Sequence, residues 1–255
     1  MRVRGLIEYL GTGWAGWQAQ DGVPTIQCEI EKAIRIATGI ELRIAVAGRT
    51  DAGVHAHGQV IAFDVPDDTD LFRLRGSLNG LTADSICVVT LERAGDAFDP
   101  RKDAVSRTYR YTIVHGRPRS PFLDDRAWTL YAPLPVERLL ELAPMVIGER
   151  DFHAFRASDC ESRSTFRNVL DSRWESDGTS VLTYTVTANA FLKQMVRTLV
   201  GTMVDVALDR VTKETFALLL SGRGTRQDAG RTAPARGLTL LRVDYPADAL
   251  RSPIR

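Results

Sequence analysis

Apolar residues dominate from Val3 to Leu10, broken by Glu8 and ended by the glycines of "GTGWAG", which predicts an opening strand. Ile26, Ile30, Ala33, Ile34 and Ala37 then recur at spacings of three and four. That spacing predicts an amphipathic helix over Thr25–Thr38, with Thr25 placed to cap its start and Gly39 its end. Arg43–Ala47 and Gln59–Val65 are predicted as strands flanking a polar segment, "GRTDAGVHAHG". A helix over Thr69–Asn79 and a strand over Ile86–Glu92 complete the first half. Its order, strand, helix, strand, strand, helix, strand, is the split ferredoxin-like arrangement.

The second half repeats that order. Val105–Val114 predicts a strand whose Val105, Arg107, Tyr109, Tyr111 and Ile113 share one face by the period of two. A helix is predicted over Val136–Met145, disturbed by Pro144. Arg167–Trp174 and Ser180–Ala188 predict a hairpin turned by "SDG". After Asn189, a plausible cap, Leu192, Met195, Val196, Leu199, Val200, Met203 and Val204 form the apolar face of the most strongly periodic helix. Its other side presents Lys193, Arg197 and Gly201 at four-residue spacing. A helical stretch near Lys213–Leu220 and a strand over Leu238–Asp244 follow. The predicted fold class is α+β, with two tandem ferredoxin-like (RRM-like) βαββαβ units, mainly antiparallel sheets and an active-site cleft between them. Residues 1–104 form the half carrying the Asp51 loop, and residues 105–255 the half carrying the tyrosine strand and the basic helix.

Composition narrows the class. With 255 residues, 44% hydrophobic and 25% charged, the chain resembles an ordinary globular protein. The N-terminal apolar run contains Glu8 and lacks a small-residue cleavage site, and no apolar stretch approaches membrane-spanning length, so the expectation is a cytoplasmic protein with no membrane partner. Cys28, Cys87 and Cys160 are widely spaced, which supports neither a disulfide framework nor a cysteine zinc site. The net charge of +1 matters less than its distribution. Arg101, Lys102, Arg107, Arg110, Arg117, Arg119 and Arg126 form one basic run, and Arg223, Arg226, Arg231 and Arg236 a second.

Two chemistries stay open at the polar segment. Asp51, beside Gly53 and with Arg49 two residues away on the same side of an extended chain, suits a nucleophile or general base held by an ion pair. His55 and His57, pointing the same way in a strand, suit two ligands of a metal hydrolase completed by Asp51 or Asp64. Tyr109 and Tyr111 alternate with Arg110, a pattern fit for stacking on an unpaired base or for sheet packing. Lys193 and Arg197 suit phosphate contacts. A non-catalytic RNA-binding protein is the third reading.

The segments "GWQAQ" (Gly16–Gln20), "GRTDAGVH" (Gly48–His55), "SRTYRY", "DFHAFRA" (Asp151–Ala157), "ANAFLKQMVRTLVGT" (Ala188–Thr202) and "APARGL" (Ala233–Leu238) together resemble, in order and across nearly the whole chain, the TruA-type tRNA pseudouridine synthases. The resemblance implies that Asp51 is the nucleophile, that Arg49 orients it, and that Tyr109 stacks on the target uracil and takes part in proton transfer at C5. Leu238 matches an apolar pocket residue, and Arg107, Arg110, Arg156, Lys193 and Arg197 fall to substrate binding. The implied reaction converts uridine to pseudouridine at positions 38 to 40 of the tRNA anticodon stem-loop, after base flipping, in a homodimer. No metal or organic cofactor is implied. Leu10, Asp99-Pro100 and Thr239 depart from the family pattern.

Overall fold

A computed structural model describes residues 1–247, and in it the chain divides into two compact units. The first comprises Met1–Ser106 and the chain from Leu240 on; the second comprises Arg107–Thr239. The division at residue 104 read from the sequence leaves the whole of Leu238–Asp244 in the second half, whereas the two units share that strand. Both units mix helices with mostly antiparallel strands. Among the described residues no helix is long and apolar enough to cross a membrane.

In the first unit the elements are β1 (Arg2–Tyr9), α1 (Ile26–Thr38), β2 (Ala45–Val46), β3 (His55–Asp64), α2 (Leu71–Leu81) and β4 (Ile86–Arg93). β3 and β4 flank β1 antiparallel, and β2 pairs with the far side of β3. Strands consecutive around each helix are thus separated by a third, as the predicted order requires. Alternation buries Val3, Ile7 and Tyr9 on one face of β1. The opposite face contributes Leu6 to a smaller cluster with Ala47, Val60, Ala62, Ala94 and Phe98.

The caps of α1 are those the sequence predicts. Thr25 Oγ1 accepts the Cys28 N–H, and Gly39 closes the helix at φ 74°. Asp70 caps α2 through the Phe72 and Arg73 amides, moving that helix two residues later than predicted. The strand expected over Arg43–Ala47 contracts to Ala45–Val46. Glu31 of α1 intervenes, accepting the Ile44 N–H at 3.0 Å and pairing with Arg43.

The second unit contains β5 (Ser106–His115), β6 (Trp128–Leu130), α3 (Val136–Leu142), β7 (Gly148–Asp151), β8 (Phe166–Ser176), β9 (Val181–Ala188), α4 (Met195–Ala207), α5 (Lys213–Leu220) and the start of β10 (Leu238–Asp244). Its strand order is β5-β9-β8-β7, with β6 parallel to β5. β6 and β7, three and four residues long, are too short to carry a periodic signal and were not predicted. Pro144 ends α3 in a 3-10 turn, Ala143–Val146, because proline has no N–H to continue the helix.

The predicted start of α4 needs correction. Asn189 does not cap it, since its Oδ1 accepts the Asn168 and Ala190 amides instead. Gln194, in the left-handed region at φ 62°, breaks the chain direction, and the helix begins at Met195. Lys193 therefore precedes the helix, so Lys193, Arg197 and Gly201 do not form one exposed stripe. Every residue of α4 except Arg197 is buried.

Gly201 is buried because another backbone passes over it. A Cβ built there would lie 1.8 Å from the Arg231 carbonyl oxygen. In an ordinary helix Gly→Ala gains about 1 kcal/mol. Gly201→Ala is expected to reverse that sign and destabilise by about 2 kcal/mol, through overpacking against backbone that has no alternative rotamer. Urea unfolding followed by circular dichroism checks it.

Candidate active site

The Asp51 loop is built inward from its anchors. At its entrance the Ala47 N–H reaches Val60 O at 2.9 Å, and the Gln59 side-chain amide donates to Gly48 O at 2.7 Å. Thr50 is held twice. Its carbonyl accepts the Trp17 N–H at 3.0 Å, and its hydroxyl lies 2.7 Å from the Tyr9 phenol. Beyond Asp51 a turn closes through the Val54 N–H to Asp51 O, with Gly53 at φ 78° supplying the left-handed residue. The segment "GWQAQ" is what grips this loop from outside. Gly16, at φ 97°, comes so near that a Cβ would sit 2.9 Å from Thr50 O.

Within this loop Asp51 is half-buried and Arg49 exposed. Arg49 forms no ion pair with Asp51 among the described residues. The extended geometry assumed for that pair ends at Asp51, where the chain enters its turn. Within that turn the Asp51 carbonyl accepts the Val54 N–H.

His55 and His57 are not paired ligands. β3 bulges where His57 and Gly58 face the single residue Glu8, between the pairs Ile7–Gln59 and Tyr9–Ala56. His55 is buried, and its Nδ1 accepts the Gly11 N–H at 3.0 Å. His57 lies outside, 3.7 Å from Glu8. Among the described residues no three His, Cys, Asp or Glu side chains gather in a group able to hold a metal ion.

The second unit gathers the other candidates. Tyr109 is buried on β5, opposite Val186 of β9, with its ring edge-on to Phe191 at 5.0 Å. Phe191 escaped the sequence reading, which assigned it to no face. Arg107 is buried too, and donates to Asn189 O at 2.8 Å; Arg110, the residue after Tyr109 and so on the other face of the pleat, is exposed. Tyr111 separates from Tyr109 in role. Its hydroxyl donates to Pro234 O at 2.7 Å, and burial pushes the phenol's pKa well above its ordinary value despite Arg197 and Arg236 nearby.

Lys193 and Arg156 come together through backbone, the Ala157 N–H reaching Lys193 O at 3.0 Å, and the Lys193 ammonium contacts Asp159 at 2.6 Å. Arg197 clasps "APARGL" in both directions, its Nε donating to Ala233 O and its own carbonyl accepting the Ala233 N–H. Leu238 follows this clasp and is buried. Arg156 is half-buried.

In the second basic run Arg223, Arg231 and Arg236 are exposed and Arg226 half-buried, yet Arg226 and Arg231 are tied to groups of the fold. Arg231 donates to Asp205 from its backbone and guanidinium, Arg210 joins it at 3.2 Å, and Arg226 bonds Gly230 O and Thr232 Oγ1. Burial alone would raise the Asp205 carboxyl, but these donors outweigh it and hold it below 3.8. Arg210, Arg226 and Arg231 thus make bonds within the fold while Arg210 and Arg231 keep part of their surface exposed.

Comparison with known proteins places this arrangement in a class. A family model described as tRNA pseudouridine synthase matches residues 142–246. The chain is 38% identical over 244 residues to a tRNA pseudouridine synthase A of Myxococcus xanthus, covering 96% of this chain and 92% of that relative. It is 39% identical over 240 residues to the tRNA pseudouridine synthase A of Geobacter sulfurreducens, covering 94% and 98% respectively. Among solved structures it is similar to a chain of a Cbf5-Nop10-Gar1 complex, at 12% identity and a TM-score of 0.38, over 93% of this chain and 48% of the other. The chain belongs to the tRNA pseudouridine synthase A family, whose members are isomerases.

Proposed function

We propose that the protein isomerises uridine to pseudouridine at positions 38 to 40 of the tRNA anticodon stem-loop, with Asp51 as the nucleophilic carboxylate. The observation that carries this reading is the Asp51 loop, whose backbone is anchored at Gly48, Thr50 and Val54 and whose carboxylate belongs to a half-buried residue. A catalytic group needs such preorganisation, because misplacement by about 1 Å costs about 100-fold. The relatives named tRNA pseudouridine synthase A supply the substrate class.

In the proposed reaction the C1′–N1 bond breaks, the uracil turns over and a C1′–C5 bond forms. The proton lost from C5 is balanced by one gained at N1. Asp51 assists the bond exchange as a covalent catalyst. Tyr109, fixed by β5 and Phe191, stacks on the uracil and takes part in the transfer from C5. Leu238 lines the apolar pocket that excludes water. Extruding the uridine from a stem costs a few kcal/mol, offset by contacts to the RNA backbone. Arg107, Arg110, Arg156, Lys193 and Arg197 are assigned to those contacts, and Arg49 to the catalytic loop, where it helps hold the flipped nucleotide. The reading includes two ferredoxin-like halves, supported in the first unit by its split strand order, and a cytoplasmic homodimer.

Incubation with unmodified tRNA, followed by carbodiimide treatment and primer extension, tests the proposal. Product at positions 38 to 40 is expected. Product elsewhere overturns the assigned positions, and tRNA binding without product leaves an RNA-binding protein.

A further inference from the structure

The polar groups beneath the Asp51 loop form a connected hydrogen-bonded chain. Gln59 and Tyr9 lie on the same buried face of adjacent strands, since Gln59 pairs with Ile7 and Tyr9 follows two residues on. The Gln59 amide nitrogen carries two hydrogens. One goes to Gly48 O at 2.7 Å and the other to the Tyr9 oxygen at 3.3 Å. The Tyr9 oxygen, which accepts from Gln59, also shares a hydrogen bond with Thr50 Oγ1 at 2.7 Å. Burial pushes the Tyr9 phenol up to about 12, so Tyr9 keeps its hydrogen and the network stays uncharged through the neutral range.

Three features make this more than core satisfaction. Gly48 and Thr50 are the two residues that flank Arg49, and Thr50 directly precedes Asp51. Gln59 sits immediately after the bulge at His57 and Gly58, the irregularity that sets its position against β1. Its Oε1 is buried without a hydrogen-bond partner among the described residues, while its nitrogen makes both bonds. The Gln59 side chain is therefore held through its nitrogen alone, by the loop carbonyl and the Tyr9 hydroxyl.

We propose that Gln59, acting with Tyr9 through Thr50, is the positioning residue that fixes the backbone on both sides of Arg49 and sets the direction of Asp51. This rests on the reading of Asp51 as the nucleophile. Neither Gln59 nor Tyr9 touches the substrate; both act through the loop.

The test measures kcat and KM for pseudouridine formation on full-length tRNA, together with the thermal midpoint, for wild type, Asp51→Asn, Gln59→Met, Tyr9→Phe, Thr50→Val and Thr50→Ser. Gln59→Met is expected to lower kcat by about 10- to 100-fold with KM within about twofold of wild type. Tyr9→Phe, which removes the bonds to Gln59 and Thr50, and Thr50→Val, which removes the bond to Tyr9 alone, are each expected to lower kcat by about 10-fold. Thr50→Ser, which keeps the hydroxyl, is expected to restore it to within about threefold of wild type. Tyr9→Phe combined with Thr50→Val should fall no further than Tyr9→Phe alone, because the bond that Thr50→Val removes is already gone. Folded variants with unchanged kcat, a loss confined to KM, or a Thr50→Ser enzyme as slow as Thr50→Val overturns the inference. Tyr9→Phe and the Thr50 pair keep the test decisive if Gln59→Met fails to fold. Inactive wild type overturns the functional reading as well, whereas active wild type, inactive Asp51→Asn and unaffected Gln59, Tyr9 and Thr50 variants overturn this inference alone.

Discussion

Asp51→Asn is expected to abolish pseudouridine formation, by at least about 1,000-fold in kcat, while leaving tRNA affinity within a few fold of wild type. The substitution keeps the side chain's shape and its place in the loop but removes the negative charge and the nucleophilic oxygen pair. Loss of a nucleophile from a site that acts as a unit costs nearly the whole chemical contribution of that site. The loop itself should survive, because its anchors at Gly48, Thr50 and Val54 do not depend on the Asp51 charge: the bond closing the turn uses the Asp51 backbone carbonyl. Single-turnover assays on tRNA transcripts, paired with filter binding, check both halves. Retained activity would remove Asp51 from the chemistry.

The largest effect on stability is expected at Asp205. This residue is buried on α4 and receives the Arg231 amide and guanidinium as well as Arg210. Asp205→Ala leaves those donors without their acceptor, and a loss of about 3 kcal/mol is expected. The half-exposed Arg210 makes a single contact, so Arg210→Ala should cost about 0.5 kcal/mol. The pH dependence follows from the direction of the shift. The folded carboxyl is held below the unfolded value of 3.8, so its contribution is complete above that value and is lost as pH falls through the lower, folded one. Urea midpoints measured from pH 6 down to pH 2.5 should therefore fall more steeply at the acid end in wild type than in Asp205→Asn. Equal slopes would show that the Asp205 cluster does not carry this linkage.

Local periodicity made much of the fold legible before any coordinates. Thr25, Gly39 and the apolar spacing between them identify α1, because a helix cap and a helix stripe are both properties of a few consecutive residues. Tyr109 and Tyr111 were equivalent by alternation, and both indeed face inward from β5. Contact with Phe191 distinguishes one, and the bond to Pro234 the other. The errors fall where a distant partner overrides a local signal. Glu31 shortens β2, the Asn168 and Ala190 amides take the Asn189 side chain away from α4, and the β1 pairing extends β3 back through His55.

The sequence by itself determined the helices and strands with strong periods, the family, and the presence of Arg49, Asp51 and Tyr109 in segments that resemble its motifs. Only the tertiary structure decided which charges are committed to the fold. Arg231 and Arg226 read as members of a basic run because charge counting sees neighbours in sequence, while Asp205 and Thr232 claim them in space. The same reason hid Gln59 and Tyr9. A glutamine inside an apolar strand and a tyrosine at a strand end carry no periodic signal, and their role appears once β1 and β3 are paired beneath the loop that holds Asp51.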